Sequence, residues 1–246
     1  MSITLLVACF FLVAVLYSTA GFGGGSSYIA LLLISNLPLL DVRWVALLCN
    51  IIVVSTSCWY FYKAGILKLK DVLPLIVLSI PFAFLGGLIK PDTQFYKIIA
   101  AIALISASFI MIANYKRIEI RKVSKPILSG IGGGIGLLSG FIGIGGGIFL
   151  SPVLYIMKWE SAKKISAAAS FFILVNSCAG LLGQSLHSPN VDWQLSLMLG
   201  FSVFIGGQLG NRMNIHILSP EKIKLLSALL IGFVGFRILF IQIFKI

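Results

Sequence analysis

The sequence contains few acidic residues and few charges of any kind. Only seven of its 246 residues are aspartate or glutamate, and charged residues make up 11% of the chain. A soluble domain of this length carries about 25% charged residues, so the scarcity of charge excludes an ordinary water-soluble domain. The longest polar stretch, from about 114 to 126, is too short for a separate globular domain.

Cysteine and the motifs of catalytic sites are also scarce or missing. The four cysteines lie in apolar segments without CxxC spacing, so the sequence indicates neither a zinc site nor a disulfide framework. An intramembrane enzyme would need a catalytic set such as paired aspartates or an HExxH motif, and the sequence has neither. No Walker motif is present, so transport driven by ATP hydrolysis would require another subunit. We expect no cofactor, no metal and no enzymatic activity.

Apolar residues, by contrast, make up 59% of the chain, and the mean hydropathy is +1.07. These values are typical of a protein that crosses the membrane several times, with about 20 helical residues in each span. Apolar segments fall at about 2–37, 44–62, 72–89, 95–115, 127–157, 166–186, 193–210 and 224–244. The net charge of +12 lies mostly at segment ends, which predicts a lipid bilayer and no nucleic acid as the partner.

Two of these segments are interrupted by the same kind of glycine cluster. Residues 21–25 (Gly-Phe-Gly-Gly-Gly) interrupt the first segment, and residues 143–147 (Gly-Ile-Gly-Gly-Gly) interrupt the fifth. Each glycine weakens a helix by about 1 kcal/mol. Non-helical chain at membrane depth persists only where protein buries it or where it lines a cavity. Two such breaks at matching places therefore mark a candidate binding site.

Each interrupted segment either crosses the membrane once with a kink or forms a hairpin that returns to the side it entered. Leaving aside Arg237 in the last segment, hairpins place fourteen Lys and Arg residues on the side of the linker and four on the other side. Single crossings place nine on each side, so the positive-inside rule favours hairpins. The four residues predicted outside are Arg43, Lys90, Lys97 and Lys245.

The two halves of the chain also repeat each other. A shift of 122 residues aligns the two glycine clusters and places Ser55 on Ser177. A shift of 120 residues aligns residues 84–87 (Phe-Leu-Gly-Gly) with residues 204–207 (Phe-Ile-Gly-Gly). Each half would contain one hairpin and three spans, and an odd number of crossings gives the two halves opposite orientations.

The predicted fold is therefore an all-α membrane protein with an inverted-topology repeat, each half being a broken, re-entrant helical hairpin followed by three transmembrane helices. The N-terminal repeat is 1–115, with its hairpin at 1–37. A basic cytoplasmic linker at 116–126 follows. The C-terminal repeat is 127–246, with its hairpin at 127–157.

The second glycine cluster is followed by residues 151–154 (Ser-Pro-Val-Leu) and by an alanine-rich segment with serines at 161–170. With the duplicated break and the chain length, this pattern resembles the sulfite exporter TauE/SafE family of membrane permeases over nearly the whole chain. The N-terminal copy differs, with residues 26–28 (Ser-Ser-Tyr) after the glycines and Ala30 in place of Pro152. The resemblance implies transport of small sulfur-containing anions: sulfite, sulfonates such as sulfoacetate, or thiosulfate.

The residues themselves also favour an anion. All seven acidic residues map to loops or segment ends, whereas a cation carrier is expected to keep a carboxylate at the membrane centre. The second arm of each hairpin begins at the glycines, so a helix N-terminus with unpaired N–H groups and about half a positive charge points to mid-membrane. Glycine lets an oxyanion approach that backbone closely. The alternative is that the glycines serve only close helix packing.

Candidate substrate-binding residues lie at the breaks, on the spans that follow them, and in the last segment. Hydroxyls beside the glycines add hydrogen-bond donors, and amides are costly to bury unpaired. The predicted set is Gly23, Gly24, Gly25, Ser26, Ser27, Asn50, Ser55, Gly145, Gly146, Gly147, Ser151, Asn176, Ser177 and Arg237. For the serines and asparagines, the alternative is hydrogen bonding between helices. For Arg237, the alternative is a side chain that extends to the outer interface.

The sequence thus predicts a secondary transporter that moves a small anionic substrate by alternating access, in a cell (inner) membrane and with the linker in the cytoplasm. An inside-negative potential drives a monovalent anion outward with ~2.3 kcal/mol per 100 mV, so export needs no coupling ion. The alternatives are an anion channel of the same fold and a proton- or sodium-coupled uptake permease. A homodimer is compatible with each of these interpretations. The sequence also leaves open a proton-relay role for the loop residues His187 and His216.

Overall fold

The computed structural model describes residues 2–35, 37–90, 92–112, 121, 123–187 and 191–213, with positions 225, 228, 229, 232, 233, 235, 236 and 238–240. Within the continuous described ranges the secondary structure is helical, without a strand. The helices are α1 (Ile3–Thr19), α2 (Gly25–Ile34), α3 (Leu39–Lys63), α4 (Leu69–Leu88), α5 (Thr93–Ile112), α6 (Lys125–Ile142), α7 (Gly147–Ile156), α8 (Ala162–Ser185) and α9 (Trp193–Met213). The described positions from 225 to 240 are also helical. The prediction of an all-α protein is confirmed.

Four of these helices are long and apolar enough to cross a membrane, namely α3, α4, α6 and α8. They contain 25, 20, 18 and 24 residues, and a hydrocarbon core needs about 20. Large apolar side chains also cover the outer surface; Phe201 is 66% exposed and Phe233 is 70% exposed. In water such an apolar surface would promote aggregation, whereas in a bilayer it contacts the lipid tails. The protein is therefore a multi-pass membrane protein, as predicted.

Glycines with left-handed backbone conformations interrupt the helices at both clusters. Between α1 and α2, in the first break, Gly21 and Gly24 have φ angles of 80° and 89°. Between α6 and α7, in the second break, Gly143, Gly145 and Gly146 have φ angles of 88°, 85° and 80°. Other residues pay about 1–2 kcal/mol for this conformation. The helices thus end at the glycines that the sequence indicates.

At each break the chain after the first glycines contacts the helix that precedes the break. The rings of Phe10 in α1 and Tyr28 in α2 stack with their centroids 4.6 Å apart. A continuous helix would hold these two residues about 27 Å apart. In the second break, a methyl group on Gly146 would contact Ile135 and Ser139 of α6 at 3.1 Å. Helix α2 therefore lies beside α1, and the chain at Gly146 lies beside α6.

Rows of glycines allow two pairs of helices to pack with their backbones in contact. Methyl groups on Gly132, Gly136 and Gly140 of α6 would overlap the α4 carbonyls of residues 75, 79 and 83 in turn. Gly206 and Gly210 of α9 face the α1 carbonyls of residues 11 and 15 in the same way. Small residues permit this close approach in a bilayer. Helices α3 and α8 lie between these pairs and contact each other, while α3 also contacts α9 and α4 contacts α8.

Most of the predicted linker at 116–126 lies outside the described residues. Helix α6 already begins at Lys125, within the predicted linker. The Arg121 N–H group donates to the Lys158 carbonyl at 2.8 Å, which places Arg121 beside the end of α7. The repeat boundaries remain predictions.

Candidate functional site

The two breaks meet at the side chain of Asn50, which is fully buried in α3. The Asn50 Nδ2–H group donates to the Ile144 carbonyl in the second break at 2.8 Å. Gly23 and Gly25 at the first break lie against the same amide, and a methyl group on either would overlap it. A methyl group on Gly25 would also lie 2.6 Å from the Ile144 oxygen. One amide thus joins both breaks, and the breaks touch each other.

The hydrogen bond to Ile144 fixes the orientation of the Asn50 amide. Because Nδ2 faces a carbonyl, the other end of the amide is the oxygen, an acceptor that lies against Gly23. This Oδ1 atom is buried and has no hydrogen-bond partner in the part of the chain that the structure describes. A buried polar atom without a partner is costly, so Oδ1 is a candidate contact for a ligand.

Helix α8 supplies another wall of this site. A methyl group on Gly145 would lie 2.9 Å from both Asn50 Nδ2 and Ser177 Oγ, so the Ser177 hydroxyl is close to the amide. Ser177 Oγ is also buried, and the described residues offer it no hydrogen-bond partner. Gly147, where α7 begins, packs against Ile173 of α8. We call the site the Asn50 cluster, consisting of Gly23, Gly25, Asn50, Ile144, Gly145, Gly147 and Ser177.

Helix α8 contacts the first break as well. The Ser170 hydroxyl lies between two carbonyls, that of Gly21 and that of Ser166, the latter at 2.9 Å. Phe61 of α3 packs against Gly21 from another side. Ser170 and Ser177 are two helical turns apart, so one face of α8 holds both breaks.

Residues after the first break have different partners. The Ser27 hydroxyl donates to Tyr17 Oη at 3.0 Å, and Ser26 is 2% exposed. Tyr28 Oη lies near Gly24 and is buried without a hydrogen-bond partner among the described residues. Sequence reasoning missed Tyr28 as a candidate, although it directly follows the two predicted serines.

Among the other buried polar atoms that lack a partner within the described ranges are Asn176 Oδ1, Ser139 Oγ and Ser151 Oγ. The Asn176 Nδ2–H group donates to the Phe172 carbonyl at 2.8 Å, which fixes Oδ1 as an acceptor. Gly146 packs between Phe172 and Ser139 in the second break. The predicted Asn176 on α8 and Ser151 on α7 are also buried.

The predicted Ser55 lies apart from the Asn50 cluster. Ser55 lies on an exposed face of α3, and its hydroxyl donates to the Ile51 carbonyl at 2.5 Å. Five positions along a helix turn a side chain by about 140°, which directs Ser55 away from the side on which Asn50 lies. Arg237 lies outside the described residues.

Arg43 is a buried cation that sequence reasoning missed. The charge count places Arg43 among the outside residues, ahead of the predicted span at 44–62, whereas α3 begins at Leu39 and the Arg43 side chain is fully buried. A signal was present in the sequence. Arg43 precedes Asn50 by seven residues, or about two turns, so both share one face of α3.

Both short helices begin at the Asn50 cluster. The first N–H groups of α2 and α7 have no acceptor within their own helix, and the N-terminal ends carry partial positive charge. Hydroxyl and amide groups add donors and acceptors at the same buried place. Such an arrangement can bind a small oxyanion. The described residues contain no group of three or more His, Cys, Asp or Glu side chains that could hold a metal ion.

Comparison with known proteins agrees with this architecture. The family model for the sulfite exporter TauE/SafE matches residues 6–238. The probable membrane transporter protein y4hK of Sinorhizobium fredii is 29% identical over 95% of this chain and 97% of its own length. A probable membrane transporter protein of Haemophilus influenzae is 26% identical over 84% of this chain and 81% of its own.

A probable membrane transporter protein of Methanocaldococcus jannaschii is 25% identical over 94% of this chain and 93% of its own length. No solved structure gives a significant match. The family match covers most of the chain, both breaks included, and these relatives are named as transporters. The protein is a membrane transporter, and the chain belongs to the TauE/SafE sulfite exporter family.

Proposed function

We propose that this protein is a secondary transporter that carries a small sulfur-containing anion across the membrane by alternating access. The proposed substrates are sulfite, a sulfonate such as sulfoacetate, or thiosulfate. Family membership supports the substrate class. The observation that carries the mechanism is the contact of both glycine breaks with the Asn50 amide.

The pairing of helices supports two inverted repeats, 1–115 and 127–246, joined by the linker at 116–126. If the halves are exchanged, α1, α3 and α4 correspond to α6, α8 and α9. The contact between α4 and α6 then corresponds to the contact between α9 and α1. In the same way, the contact between α3 and α9 corresponds to the contact between α8 and α4. All four contacts occur. An internal two-fold axis between the halves would produce this pattern.

The lengths of the short helices support re-entrant hairpins at 1–37 and 127–157. Helices α2 and α7 contain 10 residues each, or about 15 Å, which is half of a hydrocarbon core of about 30 Å. In this proposal each short helix folds back on its predecessor, the two hairpins enter from opposite sides, and their tips meet at mid-depth.

The chemistry of the Asn50 cluster favours a singly protonated oxyanion. The Ser177 hydroxyl and the starts of α2 and α7 offer donors, whereas Asn50 Oδ1 is an acceptor, as is Asn176 Oδ1 on α8 outside the cluster. A fully deprotonated anion would leave those acceptors unpaired, which is costly in a buried site. Hydrogensulfite carries acceptor oxygens and one donor hydrogen, and it therefore satisfies both kinds of group.

We further propose export through the cell (inner) membrane, with the linker on the cytoplasmic side and the protein assembled as a homodimer. The inside-negative potential drives a monovalent anion outward with ~2.3 kcal/mol per 100 mV, so no coupling ion is needed. The described acidic residues lie in loops or in the first turn of a helix, as Asp41 and Asp71 do, which agrees with an anionic cargo.

Counterflow in proteoliposomes tests the proposal. Vesicles that contain the purified protein are loaded with unlabelled sulfite, and entry of radiolabelled sulfite is followed, with protein-free vesicles as the control. A carrier gives saturable, transient accumulation above equilibrium, whereas a channel gives none. The assay is repeated with thiosulfate and sulfoacetate. Failure to exchange any of the three anions would contradict the proposed function.

A further inference from the structure

Arg43 carries a charge that no described acidic residue neutralises. Its side chain is fully buried one turn into α3. In the described part of the chain, the ion pair that forms is between Lys164 and Glu160, on the surface. A buried charge is stable only when it is paired or well hydrogen-bonded. The protein therefore keeps a costly cation next to its glycine breaks.

Backbone carbonyls satisfy the guanidinium only in part. Nη1–H donates to Ile89 at 3.0 Å, and Nη2–H donates to Gly86 at 3.3 Å and to Gly140 at 3.0 Å. These carbonyls belong to the last turns of α4 and α6, where helix dipoles place partial negative charge. The Nε–H group is buried without a hydrogen-bond partner among the described residues. The guanidinium is therefore surrounded by partial negative charges only, and its Nε–H donor is unused, so it can still bind a fully charged anion.

The Asn50 cluster lies two turns further along the same face of α3, about 10 Å away. The second break runs from one site to the other. The Gly140 carbonyl at the end of α6 accepts from Arg43, a methyl group on Gly143 of the break would contact Arg43 Cα at 3.3 Å, and the Ile144 carbonyl of the break accepts from Asn50. An anion that leaves the Asn50 cluster toward the start of α3 would therefore reach the guanidinium next.

We propose that Arg43 is a second anion-binding subsite, between the Asn50 cluster and the membrane face at which α3 begins. This inference rests on the proposed transport function. In the conformation described here, Arg43 binds the ends of α4 and α6 and closes the path. When those helices separate, the same N–H groups bind the oxygens of the substrate. Arginine suits this exchange because its planar fork remains charged and binds oxyanions through two parallel hydrogen bonds.

Binding of sodium sulfite to the purified full-length protein tests the subsite, with Arg43→Gln, Arg43→Lys and Tyr96→Phe compared with the wild type by titration calorimetry. Tyr96→Phe is the matched control, because Tyr96 Oη–H donates to the Ile142 carbonyl at 2.6 Å and its loss removes a hydrogen bond from the same end of α6 without changing charge. We expect Arg43→Gln to weaken sulfite binding at least about thirtyfold. Arg43→Lys should bind more tightly than Arg43→Gln, and Tyr96→Phe should bind as the wild type does.

A second measurement avoids the risk that Arg43→Gln fails to fold. Phenylglyoxal modifies accessible arginines, and the extent of modification at Arg43 in the wild type is followed by mass spectrometry. Sulfite should slow that modification, whereas a purely structural Arg43 would stay buried and unreactive both with and without sulfite. The subsite is overturned if sulfite leaves the modification rate unchanged, or if Arg43→Gln binds sulfite with wild-type affinity. In that case, transport by the wild type would still leave the proposed function intact. A wild type that neither binds nor exchanges any of the three anions overturns both.

Discussion

At the scale of single residues, the glycines of the two breaks meet two different requirements. Gly24 and Gly146 have positive φ angles, so their backbone conformation favours glycine. Gly23 and Gly25 lack that feature, and the Asn50 amide instead occupies the space that a side chain would need. The Gly-x-Gly spacing of residues 23–25 thus admits an amide from α3. This explains why the Asn50 amide lies against the glycines of the first break.

Replacing Asn50 by alanine should both destabilise the fold and weaken transport. The change leaves the Ile144 carbonyl without its donor, at a cost of about 1–3 kcal/mol, and removes Oδ1 from the proposed site. We expect the KM for sulfite in proteoliposomes to rise by about tenfold or more.

Ser55→Ala is the matched control, because Ser55 lies on the same helix but on an exposed face. It should keep the wild-type KM, since its hydroxyl bonds only within its own helix. If Asn50→Ala and Ser55→Ala gave the same KM as the wild type, the Asn50 cluster would not be the substrate site.

Residue types at the site are easier to predict than the direction in which side chains point. Gly23, Gly25, Asn50 and Ser177 are predicted from the breaks and from the cost of burying amides, and the structure brings them together. Alignment with Ser177 also selects Ser55, because a shift in sequence ignores which side of the helix faces the protein.

Arg43 is missed for a related reason. A basic residue at the edge of an apolar segment is normally assigned to a loop. Its burial depends on the ends of α4 and α6, which lie far away in sequence and approach only in the folded chain.

At the scale of helices, the contact between α4 and α6 depends on the absence of side chains. Gly136 meets the Ser79 backbone, and a methyl group there would lie 2.5 Å from the Ser79 oxygen. Two backbones in contact give dispersion attraction and weak Cα–H to carbonyl bonds along the row.

Gly136→Ala should therefore destabilise the protein, whereas Gly134→Ala should not. Both changes add the same methyl group to α6, but a methyl group at Gly134 meets open space. We expect Gly136→Ala to cost about 1–3 kcal/mol relative to Gly134→Ala, measured as a lower midpoint of thermal unfolding in detergent. Equal midpoints for the two variants would show that α4 and α6 do not pack through this row.

The sequence predicts the helices better than their ends. Hydropathy finds the segments that become α3, α4, α6 and α8, and consecutive glycines mark both interruptions. The predicted span at 44–62 begins five residues after the start of α3, because hydropathy places the charged residues Asp41 and Arg43 outside the apolar segment. An acidic residue such as Asp41 is in fact favourable in the first turn of a helix. Which helices pack together is not visible in hydropathy, since it depends on small residues that any helix can contain.

At the scale of the whole molecule, the proposal depends on how the two halves are inserted. Every contact between halves noted above has a counterpart when the halves are exchanged, and both breaks meet one amide at the centre. Opposite insertion of two similar halves gives one site that can open to either side by a rocking movement. Parallel insertion would instead bring both hairpins in from the same side of the membrane.

Cysteine labelling in intact cells tests this claim most directly. In a variant without the four native cysteines, Ser2→Cys and Ser35→Cys flank the first hairpin, and Ser124→Cys and Ser161→Cys flank the second. With a membrane-impermeant maleimide, the account predicts that the first pair reacts from outside and that the second pair reacts only after the cells are permeabilised. Reaction of the two members of either pair from opposite sides of the membrane would contradict it.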